Sequence, residues 1–277
     1  MALIFAIVAA VLLGGSDFWA ARAARTAPSI TVTRSVVAVS SVLAPVLVLF
    51  VDSSFIARDL IIGGLSGFAM TTGLALLYRG YAVARIGVVA PMSSVLLAAV
   101  PVVYDLVRGE RPGGLGAAGM VIGLTALVLT SYQPRGDGSV SLGALFGITS
   151  GVAFGIAFTL MGEVSEASGL APVVAQRWVG LGLLVAVFGF GSAPLLVSTR
   201  TERRAAVTAG IFGAIAIASL QLGFHNGASG PVSVAASQFA TFAVIFSVLF
   251  NRERMQWWQG IGVAATAIGV AFLAIGS

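Results

Sequence analysis

The sequence contains no cysteine and no lysine, and its one histidine is His225. Without cysteine there are no disulfides, no thiolate metal sites and no cysteine nucleophile. Without lysine, all 15 basic residues are arginines. Charge of either sign is scarce: 9% of residues are Asp, Glu, Lys or Arg, against roughly one-quarter in ordinary soluble domains. An enzyme embedded in a membrane needs a nucleophile with a base, a pair of aspartates or a metal site. Here that machinery is missing, so no enzymatic activity, cofactor or metal is expected. An ATP-driven pump is disfavoured because the chain carries no P-loop. The net charge of +5 does not point to nucleic acid, since the arginines stand singly or in pairs at the ends of apolar runs, where they anchor and orient helices.

Apolar residues are abundant, at 58% of the chain. A membrane-spanning helix takes ~20 mostly apolar residues, so 277 residues leave room for about ten spans and little else. Candidate spans lie near Leu3 to Ala21, Ser29 to Val51, Leu60 to Tyr81, Ile86 to Val107 and Leu115 to Tyr132. A second set lies near Leu142 to Met161, Pro172 to Phe190, Ala205 to Phe224, Val232 to Phe250 and Trp257 to Ile275. Each is of helix length, and none alternates like the strand of a membrane barrel. The first run starts at Met1 with no basic stretch before it and is expected to be a helix, not a cleaved signal. Pro91 and Pro101 are expected to interrupt the fourth span and Pro231 to open the ninth. The polar connection Gln133-Pro-Arg-Gly-Asp-Gly-Ser139 is the expected linker.

Sliding the chain on itself by 143 places Arg177 on Arg34, Glu253 on Glu110 and Arg254 on Arg111. Gly210 falls on Gly67, Gly230 on Gly87, Gly262 on Gly119 and Ser237 on Ser94. Glycine matches come easily in a chain with 35 of them; charged matches within apolar runs do not. The pattern predicts an all-α integral membrane protein of ten transmembrane helices in two repeats, residues 1–132 and 142–277, joined by 133–141. Five is an odd number, so the second repeat enters the membrane from the opposite side. Inverted repeats suit alternating access, because each half can adopt the conformation of the other and move the opening of a midplane cavity between faces.

At Gly109-Glu-Arg-Pro-Gly-Gly-Leu-Gly116 and at Asn251-Arg-Glu-Arg-Met-Gln-Trp-Trp-Gln-Gly260 the chain resembles the Gly-Glu-Arg signature of EamA-like domains in the drug/metabolite transporter superfamily. Leu13-Gly-Gly-Ser-Asp-Phe-Trp19 resembles the Gly-Ser-Asn-Phe stretch of that family's first helix, with Asp17 in place of the usual Asn. Pro28 with Arg34, and Pro172 with Arg177, resemble its second-helix pattern. The resemblance covers essentially the whole chain. It implies a ten-helix secondary carrier, often an exporter of amino acids, drugs or other metabolites, in the cell membrane.

Ionisable residues within spans are costly and are functional candidates by default. Asp17 lies ~6 Å from the end of its span at helical rise, deep enough to be a proton-coupling candidate; pairing with an Arg or solvation at a mouth is the structural alternative. Arg34 and Arg177 occupy matching positions in the two halves. They either lock their bundles or form alternating attraction points for a substrate carboxylate. Tyr78, Tyr81, Ser94, Gln221, Ser237 and Gln238 are candidate cavity groups, with interhelical hydrogen bonding as the alternative. His225 can titrate near neutral pH but sits at a span end. Glu110, Arg111, Glu253 and Arg254 are expected to be structural.

Ten arginines follow odd-numbered spans (Arg22, Arg25, Arg79, Arg85, Arg135, Arg200, Arg203, Arg204, Arg252 and Arg254), and Arg58, Arg108 and Arg111 follow even-numbered ones. That distribution places both termini outside, whereas the resemblance implies cytoplasmic termini; orientation stays open. The expected function is export of amino acids or related amphipathic compounds. A proton-coupled multidrug exporter is the near alternative, and a passive channel or an intramembrane enzyme would be a different class. Expected partners are the small-molecule substrate, protons or an exchange substrate, and the bilayer, with the chain a monomer or weak homodimer.

Overall fold

The computed structural model describes residues 1–83, 86–111, 113–131, 140–188, 193–251 and 256–276. Among these residues the structure is helical, without strands. The helices are α1 (Ala2–Ala24), α2 (Ser29–Val48), α3 (Ala57–Val83), α4 (Ile86–Val107), α5 (Gly114–Ser131), α6 (Val140–Gly162), α7 (Ala171–Phe188), α8 (Arg200–His225), α9 (Ser229–Ser237), α10 (Phe239–Asn251) and α11 (Trp257–Gly276). A single 3-10 turn, Glu166–Ser168, precedes α7. The starts of α3, α4 and α5 at 57, 86 and 114 recur after 143 residues at 200, 229 and 257, the starts of α8, α9 and α11.

Among the described residues, six helical stretches are long and apolar enough to cross a membrane: Ala2–Ala24, Ser29–Val48, Ala57–Gly80, Leu142–Gly162, Arg200–His225 and Ser229–Phe250. Shorter apolar helices cover Met92–Val107, Gly114–Leu129, Ala171–Val187 and Trp257–Leu273. Burial is reversed relative to a water-soluble domain. Ile61, Leu65, Phe68 and Val121 are each more than half exposed, while Ser66, Ser93, Ser94, Ser150 and Ser237 are fully buried. Such an apolar exterior is stable where the surroundings are hydrocarbon. The chain is an integral membrane protein by this distribution of apolar surface.

Two local features depart from the sequence expectation. Helix α4 runs continuously from Ile86 to Val107, through both Pro91 and Pro101. Each proline lacks one N–H, yet the rest of the ladder carries the helix past it. The break falls instead within the expected ninth span, at Gln238. In a regular helix its N–H would bond to the Val234 carbonyl. Here that carbonyl accepts from the Ser237 hydroxyl (2.8 Å) and from Gln238 Nε2 (3.4 Å), and the Gln238 N–H turns to Ala235 at 3.3 Å. Side-chain donors have diverted the ladder. Pro231 does lie in the first turn of α9, where its missing N–H costs nothing.

The third helix of each sequence half packs on the first two of the other: α3 against α6 and α7, α8 against α1 and α2. Glycine permits the approach. A methyl on Gly67 would overlap the Gln176 backbone, and one on Gly210 would lie 2.9 Å from the Val36 carbonyl. Helices α5 and α11 close just as tightly, with Gly119 against the Leu273 nitrogen and Gly269 against the Gly123 nitrogen. Small residues let backbones meet where dispersion, not the hydrophobic effect, drives association. Pro45 in α2 helps in another way: its missing N–H leaves the Ser41 carbonyl free, and Trp178 Nε1 of α7 donates to it at 3.0 Å.

The bundle has two ends. Met1, residues 49–56, the Glu166–Ser168 turn, the α4–α5 connection and the α8–α9 turn share one, here the Met1 end, as bonds such as Ser54 N–H to Ala167 carbonyl (2.9 Å) require. There the Asp59 carboxylate of α3 accepts from the Ser165 N–H and from the hydroxyls of Ser165 and Ser168. At the other end Glu202 of α8 completes a capping box with Thr199 and accepts from the Thr26 hydroxyl at 2.8 Å. Asp59 and Glu202 are 143 residues apart, and each ties a third helix to the loop between the first two helices of the other half.

Gly67→Val should lower the melting temperature of the detergent-purified protein, by a loss of about 1–3 kcal/mol from overpacking. Gly182→Ala, with nothing within 4 Å of the added methyl, should leave it unchanged.

Candidate functional site

A central cavity of about 620 Å³, its mouth included, lies among α1, α2, α3, α4, α6, α7, α8 and α10. Among the described residues, none of α5, α9 or α11 lines it. Most of the lining is apolar, with Phe154 and Phe158 of α6 and Phe239 at the start of α10 giving it aromatic walls. Its polar groups are few: Ser16 and Asp17 of α1, Ser40 of α2, Tyr78 of α3 and Arg177 of α7.

Their hydrogen bonds determine what each can offer. Ser16 donates to the Ala209 carbonyl at 2.8 Å and Ser40 to the Gly210 carbonyl at 2.9 Å. With these protons committed to helix α8, both hydroxyl oxygens present lone pairs. Ser16 follows Gly14 and Gly15, which bring α1 against α10 and α8 closely enough for the bond to form. Arg177 is buried and its Nε has no acceptor. The ion pairs among the described residues are Arg58–Asp59 and Arg108–Glu163, so Asp17 and Arg177 do not pair with one another. A cavity with one carboxylate, one guanidinium and acceptor hydroxyls, surrounded by aliphatic and aromatic carbon, can hold a solute with separated opposite charges and an apolar body.

The structure thus brings together three sequence candidates, Asp17, Tyr78 and Arg177. The others lie elsewhere. Arg34 is 1% exposed, does not line the cavity, and none of its three guanidinium nitrogens has an acceptor. Gln221 is buried in the last turns of α8; its Nε2 donates to the Met161 carbonyl at 3.3 Å and meets His225 Nε2 at 2.8 Å, and its Oε1 is unpaired. Ser94 is buried in α4 with its hydroxyl unpaired. Gln238 binds helices together, donating to the Gly123 carbonyl of α5 and accepting from Thr241 and from Thr266 of α11. Glu110 and Arg111 are exposed between α4 and α5. Glu253, Arg254 and the side chain of Tyr81 lie outside the described residues.

Sequence reasoning missed Ser16, Ser40 and the phenylalanines. Ser16 adjoins Asp17 in the Gly-Gly-Ser-Asp stretch and could have been taken with it. A lone serine or phenylalanine in an apolar span carries no signal of the direction it faces.

Residues 141–275 match the model of the EamA-like transporter family. Over that stretch the chain is similar to EamA-like transporter domains. The EamA-like stretch supplies Phe154, Phe158, Arg177 and Phe239 to the cavity, and Asp17, Ser40 and Tyr78 come from the half before it. A solved crystal structure, titled only as that of a protein, superposes with a TM-score of 0.79 over 99% of this chain and 96% of its own at 16% identity, which establishes a shared fold. No curated protein matches the sequence.

A charge held in an apolar cavity for a ligand is expected to oppose stability while serving function. Asp17→Asn should therefore melt at the same temperature as the parent or above it in detergent.

Proposed function

We propose that the protein is a ten-helix secondary carrier that moves amino acids or related amphipathic compounds across the cell membrane by alternating access. The observation that carries this reading is the placement of Asp17 and Arg177, neither in an ion pair among the described residues, on the walls of one central, mostly apolar cavity. Arg177 would hold a substrate carboxylate, Asp17 an ammonium group, and the aromatic walls an apolar side chain. Support for two inverted five-helix repeats comes from the 143-residue recurrence of helix starts and from the reciprocal packing of α3 and α8. On this reading Arg34 is the counterpart of Arg177, enclosed in the present conformation and presented to the cavity in the opposite one. Export is the expected direction, and protons or a second amphipathic solute are the candidate coupling partners. A carrier exchanges bound solute without chemistry, and neither an enzyme nor a channel is needed to account for the cavity.

A proton-coupled multidrug exporter is the second reading. It is favoured by the three phenylalanines and by the placement of Asp17 on the cavity wall, and it predicts lipophilic cations in place of amino acids.

Counterflow in proteoliposomes tests the proposal. Vesicles loaded with unlabelled neutral amino acids should transiently accumulate labelled leucine or phenylalanine, which a channel cannot do. Arg177→Gln should reduce this exchange by roughly 10–100-fold, the equivalent of a charge-assisted hydrogen bond, and Arg34→Gln should slow it without abolishing ligand binding. Equal exchange by the Arg34→Gln, Arg177→Gln double variant would exclude carboxylate recognition. If protons couple through Asp17, Asp17→Asn transports with a flat pH profile; an unchanged profile removes Asp17 from coupling.

A further inference from the structure

We infer that the Met1 end of the bundle is a closed gate and that Asp105 is its latch. The inference rests on the carrier reading for its meaning, but its geometry stands apart from the cavity charges. Three layers seal the cavity on this side. Phe158 of α6 forms the floor, edge-on to Phe224 of α8 with ring centroids 5.8 Å apart. Beyond it, Gln221 of α8 donates to the Met161 carbonyl at the end of α6. Outermost, Asp105 in the last turn of α4 accepts from the Ser229 hydroxyl and from the Gly230 N–H, capping the N-terminus of α9.

Each layer joins α4 or α6 to α8 or α9. On one side Gly147 and Gly155 of α6 lie against the Val89 and Leu96 carbonyls of α4; on the other Gly223 of α8 lies against the Ala2 carbonyl of α1, and Gly14 of α1 against the Phe239 carbonyl of α10. Arg108 adds an ion pair from the end of α4 to Glu163 at 2.6 Å, and this pair together with the Tyr104 hydroxyl favours the charged guanidinium. Across the seal the polar ties are the bonds that Asp105 and Gln221 make, beside one ring contact and the close packing of Gly230 on α4, and these can part without unfolding a helix. Gly230 is required for the close fit, since a methyl there would sit 2.9 Å from the Asp105 carboxylate and 3.3 Å from the Val102 Cα.

The latch belongs to one end only. The 143-residue shift carries Asp105 onto Val248 and Ser229 onto Ile86, so the opposite end has no carboxylate and hydroxyl in the corresponding place. The two gates thus differ in chemistry. Asp105 biases the resting protein towards closure at the Met1 end.

The natural absence of cysteine allows a direct test. Ile217, on the cavity wall, is replaced by cysteine and labelled in sealed vesicles with a membrane-impermeant maleimide from either side. Ser54→Cys marks the Met1 end and Arg25→Cys the other. Asp105→Ala should raise labelling from the Met1 end by about tenfold or more, as expected for a lost hydrogen bond to a charged group, and lower it from the opposite end. Ser229→Ala should do the same to a smaller degree, which guards against failure of the first variant to fold. Labelling that rises from both sides signals general loosening and overturns the latch, as does labelling unaltered by both substitutions. The assay uses no transported solute, so absence of counterflow would defeat the carrier reading without deciding the gate.

Discussion

Hydrocarbon offers no partner to a backbone N–H or C=O, so the chain satisfies its own hydrogen bonds within helices, and the helices must then find each other without help from water. Close backbone approach supplies that attraction, and glycine sets where it happens. Gly67 of α3 against α7 and Gly210 of α8 against α2 fix the third helix of each half against the other half; Gly119 and Gly269 fix α5 to α11. With α5 and α11 packed on one another, the described lining of the cavity comes from α1 to α4, α6 to α8 and α10. Its volume is a consequence of which helix pairs are allowed to touch.

The same lack of water determines how polar groups behave. Most buried hydroxyls are bound to carbonyls, either four residues back, as in Ser35 to Thr31, or across helices, as in Ser66 to Ala157. Such bonds are modest in energy but leave no polar atom unpaired in an apolar surround. The groups that break this pattern therefore carry information. Among the described residues, Arg34, the Arg177 Nε, the Oε1 atoms of Gln176 and Gln221 and the hydroxyls of Ser94 and Ser233 are buried without partners. Three of these six residues belong to the cavity or its seal or match a residue that does: Arg177 on the wall, Gln221 in the seal, Arg34 matched to Arg177. A buried guanidinium without an acceptor is costly in a single rigid structure and is accounted for if the protein has a second arrangement in which the acceptor is supplied.

Much of the architecture was legible before any coordinates. Hydropathy located α4 to the residue and the other helices to within a few residues, because apolar runs bounded by charge and turn formers leave little freedom. The extensions of α3 and α8 beyond their apolar stretches were not legible that way: Arg58 and Asp59 begin α3, and Arg200 to Arg204 begin α8 behind the Thr199 cap, so polar first turns were mistaken for loop. The break at Gln238 was invisible for a different reason. It arises from competition for one carbonyl, whereas the prolines that seemed the obvious breakers sit in α4 without ending it. Of the site, the charges were readable and the walls were not. Asp17 and Arg177 stand out in a chain so poor in charge, but that they share a cavity, and that Gln238 does not, depends on helix rotation, which a near-uniformly apolar span does not encode.

The two ends of the bundle are related yet unequal, and their inequality has a physical meaning. Asp59 and Glu202 play matching parts, each binding a third helix to a loop of the other half. The two carboxylates hold the two ends of the bundle in the same way. Asp105 has no such partner, since Val248 stands in its place. If both gates were equally strong, the free carrier would divide its population between two conformations and each solute would meet a competent site about half the time. An acid that caps α9 at one end only removes that balance. In the proposed carrier it would leave the cavity facing the other side until binding supplied the free energy to part Asp105 from Ser229 and Gly230, and in that way the bundle would acquire a preferred direction from which to load.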